Sequence, residues 1–170
     1  MPRAIRLYVR YVEAFNRWVG RTTMYLIFVM IGLLLYSSLS RTVFNSPLNW
    51  GVEMAQFLMA SYYLLGGAYS MQMDSHVRMD LLYSRWSVKG KAKADAITAA
   101  FLIFYLVVLL IGGINSSEYA LSHGQKNYSA WAPPLAPIKL IMTFGIALML
   151  LQAIAMFFRD VATLRGETLE

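Results

Sequence analysis

Four stretches of this chain carry no Asp, Glu, Lys or Arg: 19 residues between Arg21 and Arg41, 20 between Glu53 and Asp74, 22 between Asp95 and Glu118, and 19 between Lys139 and Arg159. At about 1.5 Å of rise per residue, a helix of that length covers roughly the 30 Å hydrocarbon core of a bilayer. Only a helix satisfies its own backbone hydrogen bonds in such a segment. The windows therefore predict four membrane spans, near residues 22-40, 53-73, 95-114 and 137-158. Composition agrees, because 58% of the residues are hydrophobic and 14% charged, against roughly 25% charged in an ordinary soluble domain. The expected fold is all-α: an integral membrane four-helix bundle, with residues 1-170 forming a single membrane domain.

The cations give the bundle a direction. Of the 15 Lys and Arg residues, 12 flank the predicted spans on one side, at positions 3, 6, 10, 17, 21, 78, 85, 89, 91, 93, 159 and 165. Only Arg41, Lys126 and Lys139 belong to the other side. The positive-inside rule then puts both termini and the middle loop in the cytoplasm. The net charge of +6 follows from this topology and calls for no nucleic-acid partner. Dispersed over three juxtamembrane segments, the cations suit anionic lipid headgroups. The first span is expected to be retained, since the 21 residues before it exceed a signal-peptide n-region.

Ahead of that span, Ile5, Tyr8, Val12, Phe15 and Val19 recur at helical spacing, with Arg6, Arg10, Glu13 and Arg17 on another stripe. This pattern predicts an amphipathic helix lying in the headgroup layer, with Glu13 and Arg17 as an i,i+4 pair. Arg6, Arg10 and Arg17, and Lys89, Lys91 and Lys93 of the middle loop, are the expected contacts with membrane lipids.

Chemistry is scarce in the sequence. There is no cysteine and no glycine-rich phosphate loop, and the two histidines fall on opposite sides of the predicted membrane. Thiolate chemistry, ATP use by the common route, and a shared haem or metal site within a monomer all lack their residues. The chain is read as a non-enzyme with no cofactor or metal site.

The second span is the informative one. Glu53, Gln56, Ala60, Tyr63, Gly67, Ser70 and Asp74 follow one another at spacings of three and four. That lines small and polar residues on one face, which is expected to meet protein. Glu53, at the external end, admits two readings. One is a carboxylate stabilised by the helix N-terminus and a neighbouring donor or cation; the other is an ion-coupling acid, which is expected nearer mid-membrane.

Three motifs then carry a resemblance: N-W-x-x-E at Asn49, Trp50 and Glu53, H-V-R-M-D at His76 to Asp80, and W-A-P-P-x-x-P-I-K at Trp131 to Lys139. With four spans in this order, the chain resembles the small membrane subunit of TRAP (tripartite ATP-independent periplasmic) transporters over nearly its whole length. The resemblance implies a bacterial inner-membrane scaffold working with a large TRAP membrane subunit and a periplasmic substrate-binding protein, in sodium-driven uptake of organic acids. By that analogy Trp50, Glu53, His76, Arg78 and Asp80 fix helix ends and the contact with the large subunit, and Trp131 and Lys139 shape the external face. The alternative is a self-sufficient homodimeric carrier that uses Glu53.

Overall fold

The computed structural model describes residues 3–46, 48–73 and 88–164. The described residues form five helices: α1 (Arg3–Met24), α2 (Leu26–Val43), α3 (Gly51–Gln72), α4 (Val88–Ser122) and α5 (Ala136–Leu164). No strand occurs among the described residues, apart from one isolated bridge in a loop. The all-α expectation is met.

A single residue, Tyr25, separates α1 from α2. Just before it the Thr22 hydroxyl donates to the Trp18 carbonyl and the Thr23 hydroxyl to the Val19 carbonyl, a back-bonding that tends to bend helices. Among the described residues, three stretches are long and apolar enough to cross a membrane: Ala4–Val43, Lys93–Ser122 and Ala136–Leu164. The α3 helix, 22 residues long, is not among them, because Glu53, Gln56, Ser61, Ser70 and a pair of glycines dilute its apolarity. Helix α4 extends past the expected 95-114 at both ends. The uncharged window measures where charge begins, whereas at the N-terminal end the Lys- and Ala-rich residues before Asp95 also form helix.

Helix α3 lies against α1, α2 and α5, and α4 packs chiefly on α5. Met71, Leu106, Ile146 and Ala153 form the main core cluster, contributed by α3, α4 and α5. A smaller cluster of Val19, Ala68 and Leu148 joins α1 to α3 and α5. The α3–α5 contact is close: a Cβ on Gly145 would stand 2.9 Å from the backbone carbonyl carbon and oxygen of Leu64. A Cβ on Gly20 would meet the Tyr69 side chain at 2.4 Å, so α1 approaches α3 just as tightly. Backbone approach at small residues is how membrane helices gain packing energy without a hydrophobic drive.

The molecule is apolar on the outside. Phe28, Phe101 and Phe104 are each about 70% exposed, and α2 has no buried residue. Inside sit Asn16, Thr23, Ser61, Ser117 and Gln152. A water-soluble domain does not leave so much contiguous apolar surface open; a bilayer covers it.

Candidate functional site

The loop between α4 and α5 builds the end of the bundle that the sequence predicts to be external. The loop folds back on itself: the Asn127 amide donates to the Pro133 carbonyl, and the Leu135 amide to the Gln125 carbonyl, both at 2.9 Å. Gly124 and Ala132 take positive φ values of 56° and 46°. For Ala132 this is a sparsely populated conformation, held by its own amide donating to the carbonyl and the hydroxyl of Ser129.

This loop gathers residues that the sequence predicts to lie at the external end. Glu53 lies in the first turn of α3, where the helix dipole favours a carboxylate, and accepts from the Asn127 side-chain amide at 3.4 Å. Trp50 and Trp131 stand with ring centroids 6.5 Å apart. Lys139, in the first turn of α5, donates to the Gln125 side-chain carbonyl at 2.7 Å and to the Ser116 carbonyl at 3.4 Å. The cation thereby ties the loop to α4 and α5. Tyr128 projects fully into the surroundings.

The small and polar stripe of α3 divides between two environments. Gly67 faces inward, with Met149 Sδ 3.0 Å from where a Cβ would stand, and Ala60 is half-buried. Gln56 and Tyr63 are exposed, beside Val52 and Met59. Ser70 lines a groove between α1 and α3. One helix face thus serves both the bundle's own packing and an open surface. His76, Arg78 and Asp80 lie outside the described residues, as does the side chain of Lys89. Lys91 and Lys93 fall in the first turns of α4, half-buried and exposed respectively.

Helix α1 departs from its expected pattern. Arg6, Arg10 and Arg17 are exposed, but Glu13 turns to Arg159 of α5, not to Arg17. The expected single apolar face is two faces. Val9, Asn16, Val19 and Thr23 are buried against the bundle, whereas Leu7, Tyr11, Phe15 and Trp18 are open. A two-sided reading weighs only water against lipid; this helix also packs on protein. Three polar contacts hold it to α5: the Glu13–Arg159 ion pair, Tyr8 Oη donating to the Leu151 carbonyl at 3.1 Å, and Asn16 Nδ2 donating to Gln152 Oε1 at 2.8 Å. The Asn16–Gln152 pair joins residues 136 positions apart and is not marked by spacing. Its available signal was an amide in the amphipathic helix and another in the last span, each in need of a partner away from water.

Residues 30–163 match the family described as tripartite ATP-independent periplasmic transporters, DctQ component. The chain belongs to this family. A curated relative, the sialic acid TRAP transporter permease protein SiaT of Haemophilus influenzae (strain 86-028NP), is 30% identical over 103 residues. That alignment covers 61% of this chain and 16% of the relative, so the chain spans only a small part of that protein's length. No solved structure matches the chain. As a DctQ component it is the small subunit of a TRAP transporter, a component of a transport system and not a member of an enzyme family. The matched region runs from within α2 into the last turn of α5 and leaves the whole of α1 outside it.

Proposed function

We propose that this DctQ-family chain is a scaffold: a small inner-membrane subunit that holds a large membrane subunit in place while that subunit carries organic acids inward with a sodium gradient, fed by a periplasmic binding protein. Both termini lie in the cytoplasm in this reading, and α2 to α5 each cross the bilayer. The observation that carries it is the chemistry of the helix interiors. Between Glu53 and Asp74, Asp95 and Glu118, and Lys139 and Arg159 there is no ionisable acid or base apart from tyrosine. The buried polar groups there include Ser61, Ser117 and Gln152, and each has a hydrogen bond within the bundle. Such an interior offers a carboxylate cargo no cation and a coupling ion no carboxylate.

Glu53 supports the same reading. It lies at the external end of α3 and its described partner is a loop amide, so it acts as a strut between helix and loop. The open face of α3 at Gln56 and Tyr63 and the uncovered α2 are the surfaces on which a large subunit fits. SiaT is named a permease and is far longer than this chain, which is in keeping with a small unit working beside a larger membrane portion.

Reconstitution in liposomes tests the scaffold. The purified chain alone should give no substrate-dependent sodium or proton flux, with or without Glu53→Gln, whereas the chain with its large subunit and binding protein should transport. Flux by the chain alone, abolished by Glu53→Gln, would establish the homodimeric carrier instead. Reporter fusions at the two ends test the topology, which requires both on the cytoplasmic face.

A further inference from the structure

A groove of about 540 Å³ runs between α1 and α3. Along α3 it extends from Tyr62 to Met73, about 16 Å at the helical rise. That is close to half of the roughly 30 Å hydrocarbon core, from the middle of α3 to the end that faces the cytoplasm in the proposed topology. Its floor is opened by Gly66, where an added Cβ would meet nothing within 4 Å. Methionine, tyrosine and glycine make most of the wall, and the Thr23 hydroxyl is already bonded to the Val19 carbonyl. Such a wall has little to hold a water-soluble ligand and fits a hydrocarbon chain.

The α1 side of the groove is formed at its edge by Gly20 and Met24. Arg17 and Arg21 are their i,i+3 neighbours and i,i+4 neighbours of each other on the helix surface, and both guanidinium-bearing side chains are exposed. Neither arginine has an acidic partner among the described residues. With Arg6 and Arg10 they occupy roughly a 60° arc of α1 at about 100° per residue, a cationic rim beside an apolar slot one leaflet deep. A partner helix seated there would bring these arginines no phosphate and would cover them at a desolvation cost. An anionic phospholipid satisfies both halves, because its phosphate accepts bidentate bonds from arginine while one acyl chain fills the slot.

We infer that the α1–α3 groove is a specific anionic-phospholipid site, with the headgroup phosphate between Arg17 and Arg21 and one acyl chain lying over Gly66 toward Tyr62. The inference rests on the proposed topology, which puts this end of the groove at the anionic cytoplasmic leaflet.

Native mass spectrometry of the full-length chain, titrated separately with dioleoyl phosphatidylglycerol and dioleoyl phosphatidylcholine, tests it. One phosphatidylglycerol per chain should be retained, roughly thirtyfold more tightly than phosphatidylcholine, whose choline cation offsets its phosphate, in line with about 1 kcal/mol for each of two arginines near an anionic lipid. The double variant Arg17→Gln/Arg21→Gln should abolish that preference and leave helical content unchanged, since both side chains are exposed. Gly66→Phe, whose Cβ enters open space, should lower retention of both lipids while helical content stays unchanged. Equal retention of the two lipids, indifference to Gly66→Phe, or loss of the lipid when the large subunit is added would each overturn the site. Any of these can occur while the chain still co-purifies with the large subunit and shows both termini in the cytoplasm, so failure here is distinct from failure of the scaffold reading.

Discussion

Asn16 and Gln152 are almost wholly buried, joined by one hydrogen bond, with Asn16 Oδ1 and Gln152 Nε2 left without a partner. Two amides can exchange two bonds and this pair makes one, so its contribution is modest. Interhelical polar contacts in membranes average about 0.6 and reach about 1.7 kcal/mol. A double-mutant cycle of Asn16→Ala and Gln152→Ala, read by unfolding in mixed micelles, should give a coupling energy inside that range, with each single variant costing more because it leaves a buried amide alone. Gly145 is the more sensitive position. A side chain there meets the Leu64 backbone at 2.9 Å, and backbone cannot rotate away as a side-chain tip can. Gly145→Leu should therefore destabilise the bundle by roughly 1–3 kcal/mol, measured by the same unfolding. The glycine and glutamine of α5, seven residues apart, could be read in advance as one contact face, because they repeat with the helix. Their partners could not, since Leu64 and Asn16 are distant in sequence and nothing local selects them.

At the level of elements, the helices were legible because the absence of charge over about 20 residues leaves little alternative, and three of the stretches among the described residues are long and apolar enough to cross a membrane. The role of each helix face was less so. Helical periodicity tells which residues share a face of α3 but not that the face straddles a boundary, so that Gly67 packs on Met149 while Gln56 and Tyr63 look outward. The pairing of Glu53 with Asn127 crosses 74 positions and depends on how a proline-rich loop folds over the bundle, which spacing alone does not encode. Helix α2 is the clearest case of an element whose surroundings are missing from its own chain. It has no buried residue, and its Gly32 would place a Cβ in open space. Gly32→Leu should leave the isolated subunit as stable as before, or slightly more so, because glycine is a poor helix former by about 1 kcal/mol. If α2 carries the large subunit, the same variant should reduce co-purification of that subunit. Tyr63→Ala on the open face of α3 should do likewise, as loss of a large aromatic anchor. Unchanged co-purification in both would move the interface to another face.

For the molecule as a whole, the solvent decides which surface is permissible. In water, Phe101 and Phe104 on the outer side of α4 would be a liability, at 73% and 69% exposure, and charged replacements would improve solubility. In a bilayer they are the ordinary surface, and a charge there is costly: an arginine near the centre of a span carries about 2.5–3.5 kcal/mol on the insertion scale. Phe104 lies near the middle of the apolar stretch Lys93–Ser122, so snorkelling gives a side chain there least relief. Phe104→Arg should therefore lower the fraction of protein that resists carbonate extraction from membranes. Tyr128→Arg, at a fully exposed loop position outside the stretches apolar enough to cross a membrane, should leave that fraction unchanged. The contrast depends on the bilayer and not on the packing of α4, since neither side chain belongs to the core clusters. Equal extraction of the two variants would mean that the apolar outer surface of α4 is covered by something other than lipid, and the large subunit would then be the first candidate to cover it.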